Sequence, residues 1–481
     1  MSRWSPPTLW MPVLIAVVAL SACGSTEAPP SPVETPKTTA TAPVHSGSQG
    51  PKGPPHPGSG PHGAHGPPPP GAHGPAPAGA SGAALQDPSG FPEFHSWPAP
   101  GGPTIQGLGG WTSPVRLSPG PEAGGGYRPQ VAVGADNTLH VLFYGRRDAG
   151  DLMVHRVKRA GEASFGPPAR PGFDKGRNWG PDLVVRDDGS VAVVFDLADP
   201  GPASQGFYTE WTADGWSTPT PITVGGADQE VGSGHVAHGA EDSLAYVWIG
   251  KKVGHEHRFR AWLRWRLDGS WTEPVAMSDG SADAWHTNVE RRPDGTLLVG
   301  FDIGLGGSET TLYVAEASAG KLSPLEDLTA TGTAGERPHF ASWRADDNAD
   351  WTDHMAYFHK VAGRPVHVYT RSGGPGRWGV PEEPSKGYGG FHFDPEIAVD
   401  PEGRVCLVWG WDSGGEAELV YALRSAEGRW TKPRRVAELK RGKPGLASLV
   451  AGPDGAFHVV WNQGVRGSSE VFYATLPAGA S

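Results

Sequence analysis

Histidines recur at a near-constant interval along this chain: His235, His286, His339 and His392 stand about 52 residues apart. Each lies near the start of a short apolar segment. Trp179, Asp182, Trp285 and Arg337 occupy matching places, and Asp196, Asp302 and Trp411 follow the next apolar segment. These residue types suit a few kinds of chemistry. Histidine beside arginine or lysine suits proton abstraction next to an acidic sugar. Paired carboxylates such as Asp196 and Asp302 suit glycoside hydrolysis. Tryptophan rings stack on the apolar faces of sugars, and Arg337 offers a bidentate cation to a carboxylate or sulfate. Three histidines from different segments also suit zinc or manganese.

The catalytic candidates are therefore His286, His339, Asp196 and Asp302. The ligand-binding candidates are Trp179, Asp182, His235, Trp285, His286, Arg337, His339, His392 and Trp411. A purely structural role would place similar residues at equivalent points of each repeat. These residues differ from repeat to repeat, which favours a ligand site over solvated loops.

The elements that must position them form a module repeated seven times from Gly126 to the C-terminus. Each copy opens with a short apolar strand, often through X-Pro, as in RPQVAV from Arg128 and DPEIAV from Asp394. An acidic turn follows, such as Asp187-Asp188-Gly189 or Pro453-Asp454-Gly455. Such turns need residues that tolerate positive φ, which Gly and Asn supply. The second strands, such as VAVVFD and FHVVWN, are almost continuously apolar. That pattern suits strands buried on both faces between neighbouring sheets. A repeat of this length built from strands indicates a radial or stacked β architecture.

A Trp-x-x-Pro segment closes several copies, at Trp216–Pro219, Trp271–Pro274, Trp378–Pro381 and Trp430–Pro433. Degraded forms begin at Phe165 and Leu322. The seventh copy lacks the segment, and an unattached one, Trp111–Pro114, stands ahead of the first copy. An N-terminal strand that completes the last sheet closes a ring and removes its open edges. The fold class is all-β, a seven-bladed β-propeller. The acidic turns are short and repetitive, so that face is read as structural. The longer loops of the other face carry the candidates.

The turns before the closing strands, Asp214-Gly215-Trp216 and Asp268-Gly269-Ser270-Trp271, resemble those of sialidase-like, Asp-box β-propellers. The resemblance spans Trp111 to Leu476. The family pattern is Ser-x-Asp-x-Gly-x-Thr-Trp, and no copy here is complete. Tyr127-Arg128-Pro129 resembles the arginine motif at the start of that family's first blade. The family's other two arginines and its Tyr–Glu pair have no counterpart that can be placed, and sialidases have six blades. The resemblance implies the fold, and sialidase activity does not transfer with it.

Residues 1–23 read as a secretory signal, with Arg3 ahead of an apolar run too short to span a bilayer comfortably. The run ends in Leu20-Ser21-Ala22-Cys23, which resembles the bacterial lipobox. That resemblance implies cleavage before Cys23 and acylation of its thiol and new amine, anchoring the chain to a membrane. Gly24 in place of Asp implies no retention at the inner membrane, and hence an outer-membrane or cell-surface address. Residues 24–105 are rich in Pro, Gly, Ala, Ser and His and lack the apolar pattern of a core. They read as a disordered tether, and 106–481 as the propeller. Cys406, the only other cysteine, reads as a small core residue.

The net charge of −11 argues against nucleic acid as a partner. Asp346, Asn348 and Asp350 alternate as oxygen ligands in a calcium loop do, although an acidic hairpin turn explains them as well. Calcium is thus possible and no cofactor is required. The expected function is a lipid-anchored monomer that binds an extracellular ligand, most plausibly a glycan. A lyase or glycoside hydrolase for acidic polysaccharide and an envelope protein-interaction platform are the alternatives.

The tether has no apolar periodicity. Deleting residues 25–100 should leave the melting temperature of the domain nearly unchanged, and a large drop in a thermal melt would show that the tether packs on the domain.

Overall fold

The computed structural model describes residues 105–119, 125–147, 150–172, 176–198, 204–223, 229–252, 258–304, 310–328, 335–346, 349–359, 367–438, 442–465 and 468–480. The signal, Cys23 and nearly all of the tether lie outside these residues. Among the described residues no helix is long and apolar enough to cross a membrane.

The expectation of seven blades is borne out. Each blade runs outward through three long antiparallel strands, for example Asp283–Arg291, Leu297–Gly304 and Thr310–Ser318 in the fourth. The outermost strand shrinks to a few residues, and in blades one and five to single bridges, His155 with Ala169 and Thr370 with Glu382.

The second strands are buried on both faces, as their unbroken apolar character requires. Val191, Val193 and Phe195 pack towards blade one, while Ala192 and Val194 pack towards blade three. The same alternation places Leu407 and Trp409 against blade five and Cys406 and Val408 against blade seven. Each of seven apolar clusters joins one pair of neighbouring blades, and one of them joins the seventh blade to the first through Val460, Val471, Val141 and Phe143.

The ring closes as the sequence implied. Val115 and Arg116 pair with Tyr473 and Phe472 at the outer edge of blade seven. Ahead of them Trp111 is buried against Tyr421 of blade six, edge to face at 5.6 Å. Other closing segments do the same: Trp271 meets Tyr208 of the preceding blade at 5.6 Å, and Phe165 meets Tyr473 at 5.0 Å. The aromatic residue of the closing segment is thus a wedge between its own blade and the one before it.

The acidic turns carry the expected backbone. Gly189, Gly295, Gly403 and Gly455 have φ between 79° and 82°, and Asn137 has 62°. The aspartate of the turn accepts a backbone N–H two residues on, as Asp188 does from Ser190 (2.8 Å) and Asp294 from Thr296 (2.9 Å). This local hydrogen bond is what favours aspartate there.

Trp111→Ala should therefore cost about 3–5 kcal/mol of stability. A chain that begins at Gly120 should aggregate through the bared edge of blade seven. A monomeric truncated chain with an unchanged denaturation midpoint would refute closure by this segment.

Candidate functional site

Every innermost strand contains a β-bulge, which inserts one residue opposite its partner and re-aims the side chains around it. In five blades the bulge opens on a residue with positive φ: Arg128, Gly180, Ser233, Arg337 and Asp394.

Strand register makes the blades comparable. Gln130, Asp182, His235, Asn288, His339, Glu396 and Ser448 pair with equivalent positions of their second strands, Leu142, Val194, Val247, Gly300, Ala356, Val408 and Val460. One polar residue per blade thus forms a ring around the channel. Its members touch: His235 Nδ1 lies 3.4 Å from Asp182 Oδ2, His339 Nδ1 lies 3.3 Å from Glu396 Oε2, and Asn288 Nδ2 lies 3.4 Å from His339 Nδ1. The rings of His235 and His339 meet edge to face at 6.4 Å.

Two residues earlier in each strand a second ring forms the channel mouth. It contains Arg128, Gly180, Ser233, His286, Arg337, Asp394 and Leu446. His286 Nδ1 donates to Asp302 Oδ2 at 2.8 Å. Asp302 is fully buried and also accepts the backbone N–H of His286 (2.9 Å) and of Arg337 in the next blade (2.9 Å). Arg337 in turn pairs with Asp394. A neutral imidazole that donates from Nδ1 keeps its lone pair on Nε2, which is the arrangement of a general base.

The even spacing of the four histidines therefore hides three environments. His235 and His339 belong to the inner ring and His286 to the mouth. His392 is buried, accepting from Trp409 Nε1 on Nδ1 (2.8 Å) with its Nε2 2.6 Å from the Tyr388 carbonyl. Burial lowers its pKa to about 4, so it is a neutral internal residue. A slip of a few residues at the start of each strand separates these positions, and the spacing in sequence does not resolve it.

Trp285 is partly buried beside Gly304, where an added Cβ would meet its Nε1 at 3.0 Å. Trp411 stands next to Tyr388, ring centroids 5.0 Å apart. Phe391, at the start of the sixth innermost strand, is 53% exposed. The Trp179 backbone pairs with Asp196, and its side chain lies outside the described residues. Asp196 is buried and its pKa is raised to about 7, chiefly by burial, against the opposing pull of Arg128. Asp346 accepts the Ala349 N–H at 3.0 Å and Asp350 pairs with Arg377 at 3.3 Å, while Asn348 lies outside the described residues. Among the described residues no group of three or more His, Cys, Asp and Glu is arranged to hold a metal ion.

Glu290 is the residue that reading the sequence missed. It lies two residues past Asn288, so it points the same way, deeper in the channel. Burial, with the charges of Asp182 and Glu396, raises its pKa to about 8. The signal was present: the equivalent positions hold Ala132, Val184, Ala237, Ala341, Ala398 and Val450, and an acid at an apolar position of a repeat is a departure that has to be explained.

No family model matches the sequence, and no curated protein matches it. Solved structures do. An ulvan lyase, a polysaccharide lyase, superposes with a TM-score of 0.50 at 11% identity, covering 74% of this chain and 96% of that one. An ulvan lyase bound to GlcA(1-4)Rha3S gives 0.49 at 11% identity over 78% and 95%. A Hadza microbial sialidase gives 0.41 at 12% identity over 67% and 73%. At these identities the likeness is one of fold, and carbohydrate-active propellers are among those that share it.

Buried histidines give the fold a pH limit. Burial lowers the pKa of His140, His354, His392 and His458 from 6.5 to about 4. The unfolded chain therefore takes up protons first as pH falls below 6.5, and stability is lost until about 4. Asp196 and Glu290, with pKa values raised to about 7 and about 8, act with the opposite sign and offset part of this loss, so between about pH 7.5 and about pH 4.5 the melting temperature should fall by a few degrees, on the order of 5 °C. A flat melting profile over that range would contradict the neutral, buried assignment.

Proposed function

We propose that the channel-mouth face binds an extracellular carbohydrate, with the chain held at a bacterial surface by lipid on Cys23. The aromatic surfaces at the mouth carry this reading. Tyr388, Trp411 and exposed Phe391 cluster at one blade, and Trp285 lies in the strand that bears His286. Aromatic faces beside hydrogen-bonding groups complement the apolar faces and hydroxyls of a sugar. That the fold is shared with carbohydrate-active propellers agrees with this reading.

A second reading, catalysis on an acidic polysaccharide, is favoured by one observation: the His286 ring is oriented by the fully buried carboxylate of Asp302. A lyase uses such a pair to take the proton next to a sugar carboxylate.

A glycan array tests the first reading. Phe391→Ala should weaken binding at least about fivefold with an unchanged melt, a loss near 1 kcal/mol, and Trp411→Ala, at a residue that also packs on the core, should weaken it at least as much while still unfolding cooperatively. Retention of no glycan, or wild-type binding by both variants, would sink it. His286→Ala separates the two readings. A binding protein should lose only modest affinity, whereas an enzyme should lose turnover by about 10²–10⁴ while still binding.

A further inference from the structure

Asp196 and Asp302 are the same residue at the same place in two blades, each closing the apolar run of a second strand. Their surroundings differ at one point. In blade four the carboxylate is met by the ring of His286. In blade two the position equivalent to His286 is Gly180, which has no side chain to offer. A Cβ built on Gly180 would lie 3.4 Å from Asp196 Oδ2 and 3.4 Å from Arg128 Nη1, with no other atom within 4 Å apart from its chain neighbours. Where blade four has an imidazole, blade two has an opening between a carboxyl group and a guanidinium. Asp196 is only 3% exposed, its Oδ1 lacks a partner within hydrogen-bond distance, and the Tyr246 hydroxyl of blade three faces the carboxyl as a side-chain donor. Asp302 by contrast accepts three N–H donors.

We propose that Asp196 is the proton donor of the site, delivering its proton through the opening at Gly180 to the glycosidic oxygen of a bound uronate polysaccharide. This rests on the catalytic reading of the channel mouth and names the acid that complements His286. The charged and titratable groups that face Asp196 are Arg128 from blade one and Tyr246 from blade three, with Asp182 and Arg264 beyond Tyr246. Burial keeps the Asp196 carboxyl protonated up to about pH 7, and the equivalent Asp302 instead accepts three N–H bonds. Two carboxyl groups in contrasting environments take contrasting roles.

The step balances as an elimination. His286 Nε2 takes the proton from the carbon next to the sugar carboxylate. The electrons of that C–H bond form the C=C bond as the C–O bond to the next sugar breaks. The bonding pair stays on the leaving oxygen, which takes the Asp196 proton. Exchange with solvent returns a proton to Asp196 and removes one from His286, so no oxidant or further reactant is consumed.

The test uses the full chain with polygalacturonate, glucuronan and alginate, following the ultraviolet absorbance of unsaturated ends. Asp196→Asn should lower kcat by about 10²–10⁴ and leave KM within about threefold. On a uronic acid that carries nitrophenoxide as an ether at C4, so that nitrophenoxide is the group eliminated, the same variant should lose less than about tenfold, because that oxygen needs no proton to depart. In wild type, a carbon-13 titration of the Asp196 carboxyl should have its midpoint at about 7. An equal loss on both substrates, no loss on either, or a midpoint near the ordinary 3.8 would overturn the proposal. So would the absence of unsaturated product from all three polymers. If glycans still bind in that case, the binding reading survives and the proton donor does not.

Discussion

The second strand of every blade is apolar on both faces, and no blade can bury it alone. This constraint shapes everything else in the molecule. A stack of such sheets always has two bare ends, and only a closed ring has none. Closure here is supplied by Val115 and Arg116 on the last blade and by Trp111 between the last two. The apolar clusters then run without a break around the ring. With stability placed in the interfaces, the loops and strand ends at the channel mouth are left free to differ.

The bulge converts that frame into a site. A regular strand would alternate its side chains between the two blade interfaces. One inserted residue re-aims the chain, and polar side chains from all seven blades converge on the channel. The inner ring is largely self-satisfied, with each histidine beside a carboxylate. The mouth ring is not uniform: it holds two arginines, a histidine, an aspartate, a serine, a leucine and a glycine. Side-chain variety concentrates where the repeat is least regular, because a fixed backbone there presents unlike groups to one space.

The contrast between blades two and four shows how little change this takes. The same aspartate, on the same strand, is saturated in one blade by a histidine and two backbone donors. In the other it faces a glycine, a guanidinium and the Tyr246 hydroxyl. Burial raises the pKa of Asp196 against the pull of Arg128 and of the Tyr246 hydroxyl. A repeat protein can thus diversify its titration behaviour by side-chain exchange at one ring while its core stays constant.

The blade count and the closing segment were legible in the amino-acid sequence. These depend on periodic apolar pattern and turn chemistry, which are local and recur seven times, so each copy corroborates the others. It also supplied Asp302 and His286 as candidates, because non-repeating polar residues stand out on a repeating frame. Which candidates meet was settled by packing between blades. His392 falls into a buried pocket and His286 onto a carboxylate, although their spacing in sequence is nearly the same. Glu290 is marked in the sequence as an acid among apolar equivalents, but that it faces the channel follows from an alternation that begins at a bulge, which leaves no fixed mark in the sequence. The state of a carboxyl depends on how many donors reach it from other blades. That number is set by through-space packing between segments some fifty residues apart, which local pattern does not encode.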